Sequence, residues 1–251
     1  MLHYTREGSG DTTLVLLHGY CENNTCFHKQ VLFFKDHATV ISIDLPGFGK
    51  SATQVNVSID DMACSVKKVL EAEAINTCIV FGHSMGGYVA LAFADLFPNY
   101  LKGFGLIHST AVADNEERKE KRKQVIAFIE KHGKEPYIKN FIPTLFKEPA
   151  NAQDVDHSVK QGIDSDQQGI IEAAKAMMNR PDRTEFLKGT SLPVFFAIGK
   201  HDALIPEMAL FDLAGSCQKS QIAYLKESAH MGYLEEADLL NKEMQKFIDW
   251  I

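Results

Sequence analysis

The chain has 251 residues, 45% of them hydrophobic and 24% charged, with a formal net charge of −7. That length admits one large α/β domain with or without an insertion, and the acidic balance excludes a basic field for nucleic acid or an anionic membrane surface. The stretch Met1-Leu-His-Tyr-Thr-Arg-Glu7 has no apolar signal core and no run approaches a membrane span, so the expectation is a cytoplasmic protein without membrane insertion.

Residues 2–7 read as an edge strand and Gly8-Ser-Gly-Asp11 as a turn. Leu14-Val-Leu-Leu17 is a continuous apolar run, the pattern of a buried strand, and it ends in His18-Gly19-Tyr20. A glycine there lets the backbone turn so that the next N–H, that of Tyr20, can face a reacting centre. Residues 26–35 read as a helix and Thr39-Val-Ile-Ser-Ile43 as a second buried strand. Asp44-Leu-Pro-Gly-Phe-Gly-Lys-Ser51 follows as a tight loop at a strand's C-terminal end, where open α/β sheets bind ligands. It closes in Gly-Lys-Ser, but no glycine stands at residue 44, so a nucleotide-binding phosphate loop is rejected. Residues 58–74 form an amphipathic helix, with Ser58 and Asp61 at capping-box spacing. The cysteines, Cys21, Cys26, Cys64, Cys78 and Cys217, are odd in number and scattered. They suggest neither a disulfide framework nor a metal site, and Cys64 and Cys78 read as small buried fillers.

The next stretch carries the strongest signal. Cys78-Ile-Val-Phe81 is a short β-branched run, and Tyr88 to Phe97 has apolar residues at helical spacing. Between them lies Gly82-His83-Ser84-Met85-Gly86, a G-x-S-x-G turn. A strand reversing sharply into a helix forces its middle residue into a strained conformation and needs small flanking residues. Ser84 is then presented at a helix N-terminus, where free N–H groups favour a developing negative charge. His83 is expected to pack beneath the turn, and His18 to be structural for the same reason.

Gly103-Phe-Gly-Leu-Ile107 is another strand, ending at His108-Ser109. From residue 112 to 185 strand-like runs vanish and charged helical segments broken by prolines replace them. The charged stretch 115–123 reads as a solvated helix face, with Val125, Ile126, Phe128, Ile129 and the apolar residues of 137–146 turned inward. Residues 112–185 are therefore expected to be a helical cap, and 1–111 with 186–251 the core. Pro193 to Ile198 and Gln221 to Leu225 restore strand character, and a helix from Ala237 to Ile251 closes the chain. Alternating strands and helices imply a mostly parallel sheet flanked by helices.

A serine hydroxyl needs a base within hydrogen-bond reach, and the base needs an orienting acid. Asp202 follows one strand and His230 the next. The order Ser84, Asp202, His230, together with His18-Gly19, the 44–51 loop and the turn at Ser84, resembles the α/β-hydrolase superfamily. The resemblance implies an α/β-hydrolase fold with a helical cap inserted after the strand that follows the nucleophile helix. It also implies a catalytic triad: Ser84 as nucleophile, His230 as base and then acid, and Asp202 orienting the imidazole. The N–H groups of Tyr20 and Met85 would form the oxyanion hole, and His108 and Gly19 would line the substrate pocket. His201, next to the acid in sequence, is poorly placed to pair with it. No metal or organic cofactor is called for. The implied partner is a small acyl substrate, in a monomer or homodimer. Among the superfamily's chemistries, serine favours cleavage of an ester or thioester, with lactone, C–C bond and perhydrolytic reactions as alternatives. A non-catalytic ligand-binding protein of this fold is the rival from another class.

Overall fold

The computed structural model describes residues 1–251. Its seven strands are β1 (Tyr4–Glu7), β2 (Thr13–Leu17), β3 (Thr39–Ile43), β4 (Cys78–His83), β5 (Leu101–Ile107), β6 (Val194–Gly199) and β7 (Ser220–Leu225). They form one sheet in the order β1-β3-β2-β4-β5-β6-β7. Only β1 runs antiparallel, pairing Tyr4 with Ile43 at the edge. The central strands β2 to β6 are buried along almost their whole length, because helices cover both faces of a parallel sheet.

In chain order the helices are α1 (His28–Phe34), α2 (Ile59–Ala72), α3 (Met85–Leu96), α4 (Glu116–His132), α5 (Lys134–Phe141), α6 (Ala152–Asp164), α7 (Gln167–Met178), α8 (Thr184–Gly189), α9 (Glu207–Ser216), α10 (Gly232–Glu235) and α11 (Ala237–Trp250). Residues 26–35 are not one helix: a 3₁₀ turn, Asn24–Phe27, leads into α1. The short α10, and α9 after Pro206, lack a clear apolar period and were not legible as helices. Helix α11 closes the sheet through Phe247, whose ring lies 6.0 Å from Phe81 and 5.6 Å from Phe195. Aromatic clusters of this kind add to plain area burial. Cys64 is only half-buried, not a core filler, and all five cysteines are free thiols.

Ser58 caps α2 as its spacing predicts. Its hydroxyl accepts from Asp61 N–H, and the Asp61 carboxylate accepts from Ser58 N–H. Ser58→Ala is expected to lower stability by about 1 kcal/mol, read as a fall in Tm of about 2 °C in a thermal melt.

Helices α4 to α7 all fall between β5 and β6, adjacent strands of the sheet. They join the rest of the fold near the strands' C-terminal ends. Leu145 C=O accepts from His230 N–H at 2.9 Å, and Gly169 abuts Gly47 so closely that a Cβ on Gly47 would lie 2.4 Å from the Gly169 Cα. The loop 44–51 thus underlies α7 rather than opening to a ligand. Its Asp44 carboxylate is occupied by the N–H groups of Asn24 and Lys50.

Candidate active site

Strand β4 runs two residues further than its apolar run suggested, to His83, and α3 starts at once with Met85. The turn is therefore a single residue. Ser84 sits at φ 49°, ψ −112°, a conformation that costs a non-glycine residue on the order of 1–3 kcal/mol. The surroundings enforce it. Ser84 N–H donates to Ile107 C=O at 2.9 Å, and Ser109 Oγ donates to Ser84 C=O at 2.7 Å. Close approach explains the flanking glycines: a Cβ on Gly82 would lie 2.1 Å from Gly86 O, and one on Gly86 would lie 2.1 Å from Leu17 O. The same contact presses the start of α3 against the end of β2, next to Gly19 and Tyr20. The N–H of Met85, in the first turn of α3, has no intrahelical acceptor.

Twenty-eight residues separate Asp202 and His230 in sequence, yet His230 Nδ1 lies 2.8 Å from Asp202 Oδ2. Both are buried. The other carboxylate oxygen accepts from Leu204 N–H at 2.9 Å and Ile205 N–H at 3.0 Å. Burial by itself would raise the Asp202 pKa, but the adjacent His230 and His108 together outweigh it and hold the carboxyl well below the usual range. Asp202 is thus an anion that favours the Nδ1–H form of His230 and leaves Nε2 without the proton.

A cavity of about 370 Å³ is lined by both Ser84 and His230, and by Tyr20 and Tyr88. That volume suits a small organic ligand. Residues of the 112–185 segment, including Arg118, Arg122, Val125 and Met177, line the same cavity. The stretch 115–123 is consequently not a purely solvated face, and Phe128, expected inside, is 39% exposed. A helix placed over a cavity needs inward residues that contact a ligand, and these need not be apolar.

Two expected pocket residues lie elsewhere. His108 and Gly19 are buried and do not line the cavity. His108 sits behind the acid, its Nδ1 3.3 Å from Asp202 Oδ2, and neither ring nitrogen has a hydrogen-bond partner. Burial pushes its pKa down to about 4. His108, Asp202 and His230 offer ligand atoms within 4.8 Å of one another, a spacing that two imidazoles and a carboxylate could use for a metal ion. Here the carboxylate is already taken by three N–H donors.

Gly19 has a different task, shared with a residue the sequence did not single out. Glu22 is 1% exposed. Its carboxylate accepts from Gly19 N–H at 2.7 Å and lies 3.0 Å from His83 Nδ1. His83 Nε2 in turn donates to His230 C=O at 2.9 Å. The one available signal was an acidic residue three positions after the glycine that ends a buried strand. His18 is structural as expected: Nδ1 donates to Gly19 C=O and Nε2 accepts from Leu45 N–H.

A family model described as alpha/beta hydrolase fold matches residues 12–237. The chain is 25% identical to a pimeloyl-[acyl-carrier protein] methyl ester esterase of Vibrio cholerae, covering 98% of this chain and 97% of that protein. It is 28% identical to a dihydrolipoyllysine-residue acetyltransferase component of an acetoin cleaving system of Pseudomonas putida, over 96% of this chain but only 64% of that longer protein. Among solved structures, a thermophilic esterase of Thermogutta terrifontis superposes with a TM-score of 0.93 at 26% identity, covering 99% of this chain and 93% of the esterase. With the sheet order, the sharp turn at Ser84 and a family match over nearly all its length, the chain belongs to the α/β-hydrolase fold family as one of its enzymes.

Proposed function

We propose that the protein is a serine hydrolase that cleaves a small carboxylic ester or thioester through an acyl-enzyme on Ser84. The observation that carries this reading is the pairing of the buried Asp202 carboxylate with His230, a histidine that lines the same cavity as the strained Ser84. Names of relatives and neighbours that include an esterase of V. cholerae and one of T. terrifontis support an ester as the bond.

In this reading His230 Nε2 takes the proton of Ser84 Oγ as the oxygen attacks the ester carbonyl. The N–H groups of Tyr20 and Met85 hold the resulting oxyanion. Collapse breaks the bond to the alkoxide, which leaves with the proton from His230. Water then attacks the acyl-enzyme, gives its proton to His230, and releases the acid with Ser84 restored. Asp202 stays ionised throughout and stabilises the imidazolium. Residues 112–185 act as a cap that shapes the acyl or alcohol site and limits water, over a core of 1–111 and 186–251. A fluorophosphonate probe is expected to label the protein stoichiometrically on Ser84 and to leave Ser84→Ala unlabelled, as read by intact mass. A folded protein that takes up no label would remove the nucleophile from this assignment.

A further inference from the structure

The cavity's lining has a charge pattern that the proposed chemistry does not require. Fifteen residues line it, and they include Arg118, Lys121 and Arg122 but no aspartate or glutamate. This occurs in a chain with 33 acidic against 26 basic residues. The three cations and Val125 stand at i, i+3, i+4 and i+7 on α4, so one face of the helix points them at the same space. Only Ile129 of the seventeen residues of α4 is buried, so packing alone does not account for this face.

Their partners leave charge to spare. Arg122 donates to Asp114, but Asp114 is shared with Arg180, whose guanidinium lies over the Tyr88 ring at 3.9 Å. Lys121 pairs with Glu117 in the open, with 69% and 73% of the two side chains exposed, a contact that is weak in water. Arg118 has no carboxylate partner and donates to Leu204 C=O at 2.6 Å. Tyr20, on the cavity wall, has a buried hydroxyl without any partner. A donor left unsatisfied in a buried site calls for an acceptor.

Building on the assignment of Ser84 as nucleophile, we infer that the substrate is an ester bearing a second, ionised acid group, carboxylate or phosphate, which is bound by Arg118 and Lys121 of α4 with Arg122 and the Tyr20 hydroxyl. Arg118 supplies the planar fork that suits such a group, and its carbonyl contact is readily exchanged for a charged acceptor. The neutral ester end then lies toward Ser84, away from the cationic face.

The test compares p-nitrophenyl hydrogen adipate with p-nitrophenyl hexanoate, esters of equal acyl length that differ by one terminal charge. The ratio of their kcat/KM values is expected to favour the adipate by about tenfold or more, the effect of one charge-assisted contact. In Arg118→Gln that ratio is expected to fall about tenfold. Raising sodium chloride from 50 to 500 mM is expected to reduce the ratio in the unaltered enzyme, a measurement that holds even if the variant fails to fold. Inhibition of hexanoate cleavage by free adipate against inorganic phosphate shows which anion the face prefers, and inhibition by neither counts against the site. A ratio of one or less, insensitive to salt, overturns the inference while leaving the hydrolase reading intact. Turnover of neither ester removes the reading on which it rests.

Discussion

Ser84→Gly is expected to abolish ester turnover and at the same time to make the protein more stable. Loss of the proposed nucleophile should lower kcat by a factor on the order of 10⁴ to 10⁶, with what remains coming from binding and the proposed oxyanion donors. Stability should move the other way because Ser84 is held at φ 49° and ψ −112°, where glycine is at ease and serine is not. Relief of about 1–3 kcal/mol of strain is partly offset by the greater freedom of glycine in the unfolded chain, about 0.5–1 kcal/mol. The net gain of about 1 kcal/mol corresponds to a rise in Tm of about 2 °C for a chain of this size. Calorimetry and a p-nitrophenyl ester assay on the same preparation check both halves. Retained turnover would place the nucleophile elsewhere, and a lower Tm would mean that the turn is not strained in the folded protein. Opposite signs for activity and stability are the mark of a conformation kept for function.

The second large effect is expected from Glu22→Gln, outside the cavity. Glu22 and His83 are each about 1% exposed and form a buried pair. Burial by itself would lower the His83 pKa, but the Glu22 carboxylate raises it above the ordinary imidazole value. Burial would likewise raise Glu22, yet the charge and hydrogen bond of His83, with the Gly19 N–H, bring it below the ordinary carboxylate value. Removing one charge of a buried pair costs about 3 kcal/mol, or a fall in Tm of about 6 °C. The pH profile identifies the cause. His83 contributes fully below about pH 6.5, and that share disappears as pH rises through its elevated value. Glu22 contributes fully above about pH 4.5, and its share disappears as pH falls through its depressed value. The stability gap between the unaltered protein and the variant should therefore be widest from about pH 4.5 to 6.5 and narrow on both sides. A gap that does not vary with pH would mean that the pair is not ionised. Turnover should fall on the order of tenfold as well, since Glu22 fixes Gly19, next to the proposed donor Tyr20, and His83 fixes the His230 backbone.

The strands and the turn at Ser84 were legible from residues alone, for a local reason. A parallel strand buried on both faces reads as a near-continuous apolar run, so Leu14–Leu17, Thr39–Ile43 and Cys78–Phe81 stand out from their neighbours. Gly82 and Gly86 stand out because backbone passes within van der Waals distance where a Cβ would sit. Most of the charged stretch on α4 is solvated as expected, but its three cavity-lining cations were not picked out, because helical periodicity reports which face is apolar, not which charged residues look into a cavity. His108 was misplaced because a strand end can point to the pocket or behind it, and its position behind Asp202 depends on β6 lying next to β5. Glu22 escaped notice because its partner His83 is 61 residues away.

By itself, then, the amino-acid order determined the strands, most of the helices, their alternation and the presence of a serine on a sharp turn, all of which show as patterns within a few residues. The tertiary structure decided which imidazole faces the Asp202 carboxylate, which cations meet over the cavity and how Glu22 ties the loop at Gly19 to His83. Those are pairings between distant segments, set by strand order and by the burial of charge, and no local pattern encodes them.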